Sequence, residues 1–190
     1  MSFRGVRLHE AQALRTADTI FNETELPATI HGGDGADTIW GGTGPDRIRG
    51  FGGDDRLFGG DGGDQVLGDA GSDHVSGGDD HDNLQGDVGE DTLLGSTGND
   101  LLLGHRGSDR LFGEAGNDVL LGGDADDYLE GGAGHDELYG QAGRDALFGL
   151  TGNDRLFADD ATADTVRGGP GDDSGNVDDE DDVLDVESLA

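Results

Sequence analysis

From Gly32 to Phe157 the chain sets one aspartate at a fixed point in every nine residues. The series is Asp37, Asp46, Asp55, Asp64, Asp73, Asp82, Asp91, Asp100, Asp109, Asp118, Asp127, Asp136, Asp145 and Asp154, fourteen in fourteen units with no insertion. Of 43 acidic residues in the chain, 34 are Asp and 9 are Glu. A solubilising surface uses Glu as freely as Asp and has no reason to hold one position invariant. The shorter carboxylate suits turns and hard-cation sites, so the spacing points to a local geometric role.

The elements that position these carboxylates follow from the rest of the unit. Its first residue is always Gly, from Gly32 to Gly149, and its eighth is always Ile, Leu or Val, from Ile39 to Leu156. The fourth is Gly in twelve units, with Asp80 and Ala125 as exceptions, and the second is Gly in only six. Such a unit divides into a six-residue turn and a three-residue strand with one inward apolar side chain. Two units carry the chain once around, so the predicted coil has 18 residues, and seven coils make a rod of about 34 Å. Alternate units fall on opposite sides. One aspartate column then runs from Asp37 to Asp145 and the other from Asp46 to Asp154. Asp80 and Ala125 are predicted to disturb their turns, Ala125 more, because Asp tolerates a left-handed backbone better than Ala does.

A core of two stacked apolar columns is too thin to offset an ordering cost of ~1–2 kcal/mol per residue. Carboxylates about 5 Å apart in a ladder repel one another unless a cation lies between them. Glycine turns let backbone carbonyls face the same point. Oxygen ligands without Cys or a recurring His describe a hard-cation site, best matched by Ca²⁺. Six gaps per column give up to about twelve ions, which offset much of the net charge of −32. Asp100, in mid-column, is expected to close two sites. Asp154, before a ten-residue unit that carries Asp164 out of step, is expected to close one.

The Gly-Gly-x-Gly-x-Asp-x-apolar-x tandem array resembles the RTX, or hemolysin-type calcium-binding, repeat family, strongly over 32–157 and loosely over 17–185. The resemblance implies an all-β, right-handed parallel β-roll with calcium between successive turns, held by the sixth-position aspartates and turn carbonyls. It also implies an extracellular, secreted or cell-surface, protein exported by a type I system without a cleaved N-terminal signal.

Composition excludes several other classes. All 11 basic residues are Arg, and with a pI near 4.1 neither nucleic acid nor an anionic membrane surface is an expected partner. The absence of Cys removes disulfides and thiolate metal sites. Residues 1–10 contain Arg4 and Arg7 but no apolar stretch of a signal peptide, and no window is long enough to span a membrane. The array divides the chain into a cap with a degenerate coil, 1–31, the regular roll, 32–157, and degenerate repeats with an acidic tail, 158–190. In the tail, Asp182 and Leu184 are assigned to the sixth and eighth positions.

The remaining candidates are weaker. His81 and His135 share the fifth position but lie three coils apart, ~14 Å, and His9, His31, His74 and His105 fall at unrelated positions, so no His metal site is expected. No nucleophile elbow, dinucleotide fingerprint, P-loop or EF-hand loop is present. Asn22-Glu23-Thr24 fits a glycosylation sequon. The outward ninth position carries Trp40, Phe58, Leu94, Phe112 and Phe148 on one side and Leu67, Leu103, Leu121, Tyr139 and Phe157 on the other. These residues either cover one another laterally or form an apolar stripe for self-association or an extracellular partner. The leading expectation is a non-catalytic, structural or adhesive calcium-binding module. The alternatives are an accessory module of a secreted protease, lipase or alginate epimerase, and an ice-binding roll. A catalytic domain is not expected within this chain, and the Thr-x-Asn array of an ice-binding face is interrupted at Ala115/Asn117 and Ala133/His135.

Overall fold

A computed structural model describes residues 2–3, 10–12, 17–22, 25–178, 181–186 and 188–189. His9, Arg4, Arg7 and, within the sequon, Glu23 and Thr24 lie outside the described residues. Among the described residues there are 22 strands and no helix, arranged as two parallel sheets of 11 strands each. Successive strands alternate between the sheets. Asn83, Leu84 and Gln85 therefore lie beside Leu101, Leu102 and Leu103, one 18-residue coil further on. Among the described residues no helix is long and apolar enough to cross a membrane.

The core is the double column that the repeat requires. The eighth-position residues from Ile39 to Leu156 are 0–1 % exposed, and Ile20, Ile30 and Val166 continue the columns at both ends. Between Thr29 and Thr151 the strands are six residues long, as in Thr38–Thr43, rather than three. Parallel pairing is a backbone property and continues past the apolar residue: Gly42 lies beside Gly60 and Thr43 beside Asp61. The second position bends the chain into the turn. It takes positive φ in every unit, at Gly where Gly occurs but also at Phe51 (79°), Glu114 (71°) and Leu150 (73°). Side chains rarely adopt this region, so these outward residues carry local strain.

The turns at Asp80 and Ala125 are kept but altered. Both residues take the left-handed backbone, at φ 79° and 81°, where the neighbouring fourth-position Gly71 and Gly134 lie at 142° and 148°. Beside Ala125 the turn-to-turn bond from the Gly107 N–H to the Asp124 carbonyl is 3.3 Å, against 2.9 Å from Gly89 to Arg106.

The array also keeps its register past residue 157, which the spacing alone does not predict. Leu147 lies beside Val166 and Leu156 beside Gly175, so the extra residue of the ten-residue unit is taken up within its turn. In the tail the register is one residue earlier than expected. Val183 lies beside Val166 and packs against the core, whereas Leu184 is 46 % exposed. Asp181, not Asp182, consequently holds the sixth position. The short turn before it is closed by the Asp181 carboxylate, which accepts the Asp178 N–H at 2.8 Å.

Candidate metal centre

Strand alternation turns the first, sixth and eighth positions inward and the seventh and ninth outward. All fourteen sixth-position aspartates are thereby buried, at 1–4 % exposure. They form the two predicted columns, and one carboxylate oxygen explains how the columns are joined. Asp100 Oδ1 accepts the Asp82 N–H at 2.8 Å, and Asp118 Oδ1 accepts the Asp100 N–H at 2.8 Å. In the other column, Asp109 Oδ1 accepts the Asp91 N–H at 2.8 Å and Asp127 Oδ1 accepts the Asp109 N–H at 2.7 Å.

The second oxygen, Oδ2, is buried without a hydrogen-bond partner in each of the fourteen. A buried, unpaired carboxylate oxygen is among the costliest groups a fold can carry. The invariant first-position glycine marks where it points. A methyl group on Gly95 would lie 2.6 Å from Asp100 Oδ2 and 2.8 Å from the Gly113 carbonyl oxygen. On Gly32 it would lie 2.5 Å from Asp37 Oδ2 and 2.8 Å from the Gly50 carbonyl oxygen. Glycine is therefore required here by close approach of oxygen atoms, not by positive φ.

The electrostatics agree with the geometry. Burial drives these carboxyls above their ordinary range, opposed by the amide bond from the preceding coil and reinforced by neighbouring carboxylates. Asp55, Asp64, Asp82, Asp91 and Asp136 rise to about 7, and Asp127 to about 8. His81 and His135, outside the column, act in the lowering direction on Asp100 and Asp154. As bare anions these groups oppose folding. A divalent cation beside them reverses the sign.

The donor set fits calcium. Among the described residues no three His, Cys, Asp or Glu side chains converge on one point. At most rungs Oδ2 instead shares the space beside a first-position glycine with a backbone carbonyl oxygen, as Asp100 Oδ2 and the Gly113 oxygen do beside Gly95, and oxygen-only surroundings of this kind suit Ca²⁺. The RTX calcium-binding nonapeptide repeat, four copies at a time, matches residues 31–66, 58–93, 67–102, 85–120, 121–156 and 157–184. The chain belongs to the RTX calcium-binding repeat family. Comparison with curated protein sequences gives no match.

Family membership carries calcium binding with it. Within this RTX roll the columns extend beyond the fourteen aspartates identified by spacing. Asp18 N–H donates to Asp37 Oδ1 at 2.6 Å, Asp145 N–H to Asp164 Oδ1 at 2.7 Å, and Asp154 N–H to Asp173 Oδ1 at 2.8 Å. Asp154 is therefore not the end of its column. Its continuation was hidden by a 19-residue step, and the sixth place before Asp46 is taken by Ala28, which supplies an N–H at 2.6 Å but no carboxylate.

Ninth-position aromatics cover one another. Phe21 stacks on Trp40 at 4.2 Å, Trp40 on Phe58 at 5.4 Å, and Tyr139 on Phe157 at 4.5 Å. The fifth position holds a feature that the sequence reading missed. His81 Nδ1 accepts the Asn99 N–H at 2.6 Å, Asn99 Oδ1 the Asn117 N–H at 2.7 Å and Asn117 Oδ1 the His135 N–H at 2.8 Å. His135 Nδ1 then accepts the Asn153 N–H at 2.9 Å, and Asn153 Oδ1 the Asp172 N–H at 3.1 Å. Recurrence of side-chain acceptors at 18-residue steps was the available signal.

Proposed function

We propose that the two aspartate columns are the calcium ligands of a secreted, structural or adhesive RTX module with no catalytic role. The buried, unpartnered Oδ2 row carries this reading, because it leaves the folded chain with carboxylate oxygens that only a bound cation or a proton can satisfy. Bound calcium supplies the positive charge between rungs, up to about twelve ions in the regular array and more if the outlying rungs take part. The chain's own residues orient the oxygens, exclude water and hold the coils in step.

Folding is then conditional on calcium. Extracellular modules bind at ~10⁻⁴–10⁻³ M, well above cytosolic levels, so the chain stays open until export. The family's typical extracellular setting supports the same order of events. The test is far-UV circular dichroism during titration with Ca²⁺ and, separately, Mg²⁺. β-Structure gained in that calcium range but not with magnesium, which keeps its waters and demands a tighter octahedron, is the expected result. Equal responses to both ions would remove the calcium assignment.

A further inference from the structure

The outer face of the sheet that contains Thr38–Thr43 takes no part in the aspartate columns. From Thr19 to Arg167 its outward seventh and ninth positions carry Arg56, Arg110 and Arg167 but a single acid, Glu130, in a chain with 43 acidic residues. Glu114 is the one acid at the neighbouring second position. Phe21, Trp40 and Phe58 stack in one run, and Phe112, Tyr128 and Phe148 pack in another, at centroid spacings of 4.2 to 5.7 Å. Aromatic residues and Arg with few carboxylates are the composition of an interface core rather than of free surface. A chain of net charge −32 approaches another copy of itself at least electrostatic cost on such a face.

Symmetry selects both the face and the arrangement. Thr92–Thr97 is the middle strand of this sheet. A two-fold axis along it lays two rods antiparallel with full overlap, and each strand then faces the one equally far beyond the middle. Arg56, two strands before, comes opposite Tyr128 and Glu130, two strands after. Glu130 is already held in place there, accepting the Tyr128 hydroxyl at 2.7 Å. Trp40 comes opposite Ala146 and Phe148. The same operation on the other sheet, about Leu101–Arg106, sets Arg47 and Arg49 against Arg155, and these like charges repel. The area also suffices. Nine strands from Thr19 to Arg167, at ~4.8 Å spacing and about 13 Å of outward chain each, give about 600 Å² per copy and about 1,200 Å² in all, within the range of specific interfaces.

We propose that this face binds a second copy of the chain, antiparallel about Thr92–Thr97, with Arg56 of each copy against Glu130 of the other. The face exists only in the folded roll, so the proposal rests on the reading of the columns as calcium ligands.

The test is sedimentation velocity on the full chain in millimolar Ca²⁺, with circular dichroism on the same samples. The wild-type chain should sediment as a dimer of the 19.5 kDa protomer. Arg56→Glu and Glu130→Arg should each give a folded monomer, and the double variant, which exchanges the two charges, should restore the dimer. Arg47→Glu, an equal change of charge on the other face, should leave the dimer intact. A folded wild-type monomer overturns the proposal and leaves the calcium reading standing, whereas a chain without β-structure in calcium overturns both. Equal weakening by Arg47→Glu and Arg56→Glu, or a double variant that stays monomeric, overturns the arrangement. Trp40, the one tryptophan, reads the wild-type chain directly and covers the case of a variant that does not fold. Its quenching by acrylamide should fall as the protein is concentrated through the dimerisation range, and a dimer with undiminished quenching contradicts this face.

Discussion

Along the edge built on the Asp46 column, the fifth-position side chains of residues 81, 99, 117, 135 and 153 each accept the backbone N–H of the coil above. Along the Asp37 edge the same position carries Asp54, Ser72, Glu90, Ser108, Asp126 and Arg144. There, bonds of this kind run from Ser72 N–H to Asp54 and from Arg144 N–H to Asp126, both at 2.9 Å. Each edge carries a buried carboxylate column of the same design. They differ in what holds the turns together besides that column. The Asp46 edge has a ladder of side-chain acceptors independent of any ion, whereas the Asp37 edge relies more heavily on its carboxylates. The comparison teaches that equal ligand columns need not give equal calcium dependence.

The largest effects should come from the columns themselves. Asp109→Ala removes a mid-column carboxylate on the sparsely bridged edge and should destabilise the calcium-bound fold by ~1.5–3 kcal/mol, the worth of a hydrogen bond to a charged group, with a rise in the calcium midpoint shared among the ions taken up on folding. Asp100→Ala, its counterpart beside the His–Asn ladder, should raise it clearly less. Circular dichroism titrations of the two variants, compared directly, decide this. Equal shifts would mean that the ladder contributes nothing to holding the turns.

Acid should act on the carboxylate columns of both edges. Burial raises the folded-state pKa of the column carboxyls above that of the unfolded chain, to about 7 at Asp55 and Asp136 and about 8 at Asp127, so the folded form binds more protons. Calcium-free stability therefore rises as pH falls through about 8 to 6 and is fully present below the unfolded carboxylate range. In chelator the chain should gain β-structure between pH 8 and pH 5, and calcium should bind more weakly over the same interval. A calcium-free chain with no change in circular dichroism across that range would contradict the buried carboxylates.

Breaking the ladder should have a smaller effect, confined to one edge. Asn117→Ala leaves the His135 N–H without its acceptor, at a cost of about 1 kcal/mol and so a smaller rise in the calcium midpoint than either column variant gives. Hydrogen exchange should speed up at residue 135 and leave residue 126 untouched. Glu114→Ala on the outer face of the sheet should change the midpoint least, within surface-charge screening.

Much of this was legible in the sequence because nine-residue spacing is itself a geometric statement. Fourteen aligned aspartates and apolar residues fix the coil, the two columns and the inward core. Three things were not. Strand length was underestimated because Gly42 and Thr43 pair through backbone, which no side-chain pattern reports. The C-terminal register was misjudged because Asp160 and Asp181 close long and short turns with their own carboxylates, a compensation that simple counting cannot see. The ladder escaped because the fifth position varies in residue type. Only its recurrence as His, Asn, Asn, His and Asn at coil spacing betrays it.

The central claim is that the buried Oδ2 rows make the folded roll dependent on calcium. Two-dimensional amide NMR spectra of the full chain at neutral pH, first in excess chelator and then with millimolar Ca²⁺, test it most directly. The account predicts narrow, collapsed amide shifts in chelator and a dispersed β-sheet spectrum once calcium is added. A well-dispersed spectrum in chelator, unchanged by calcium, would contradict it.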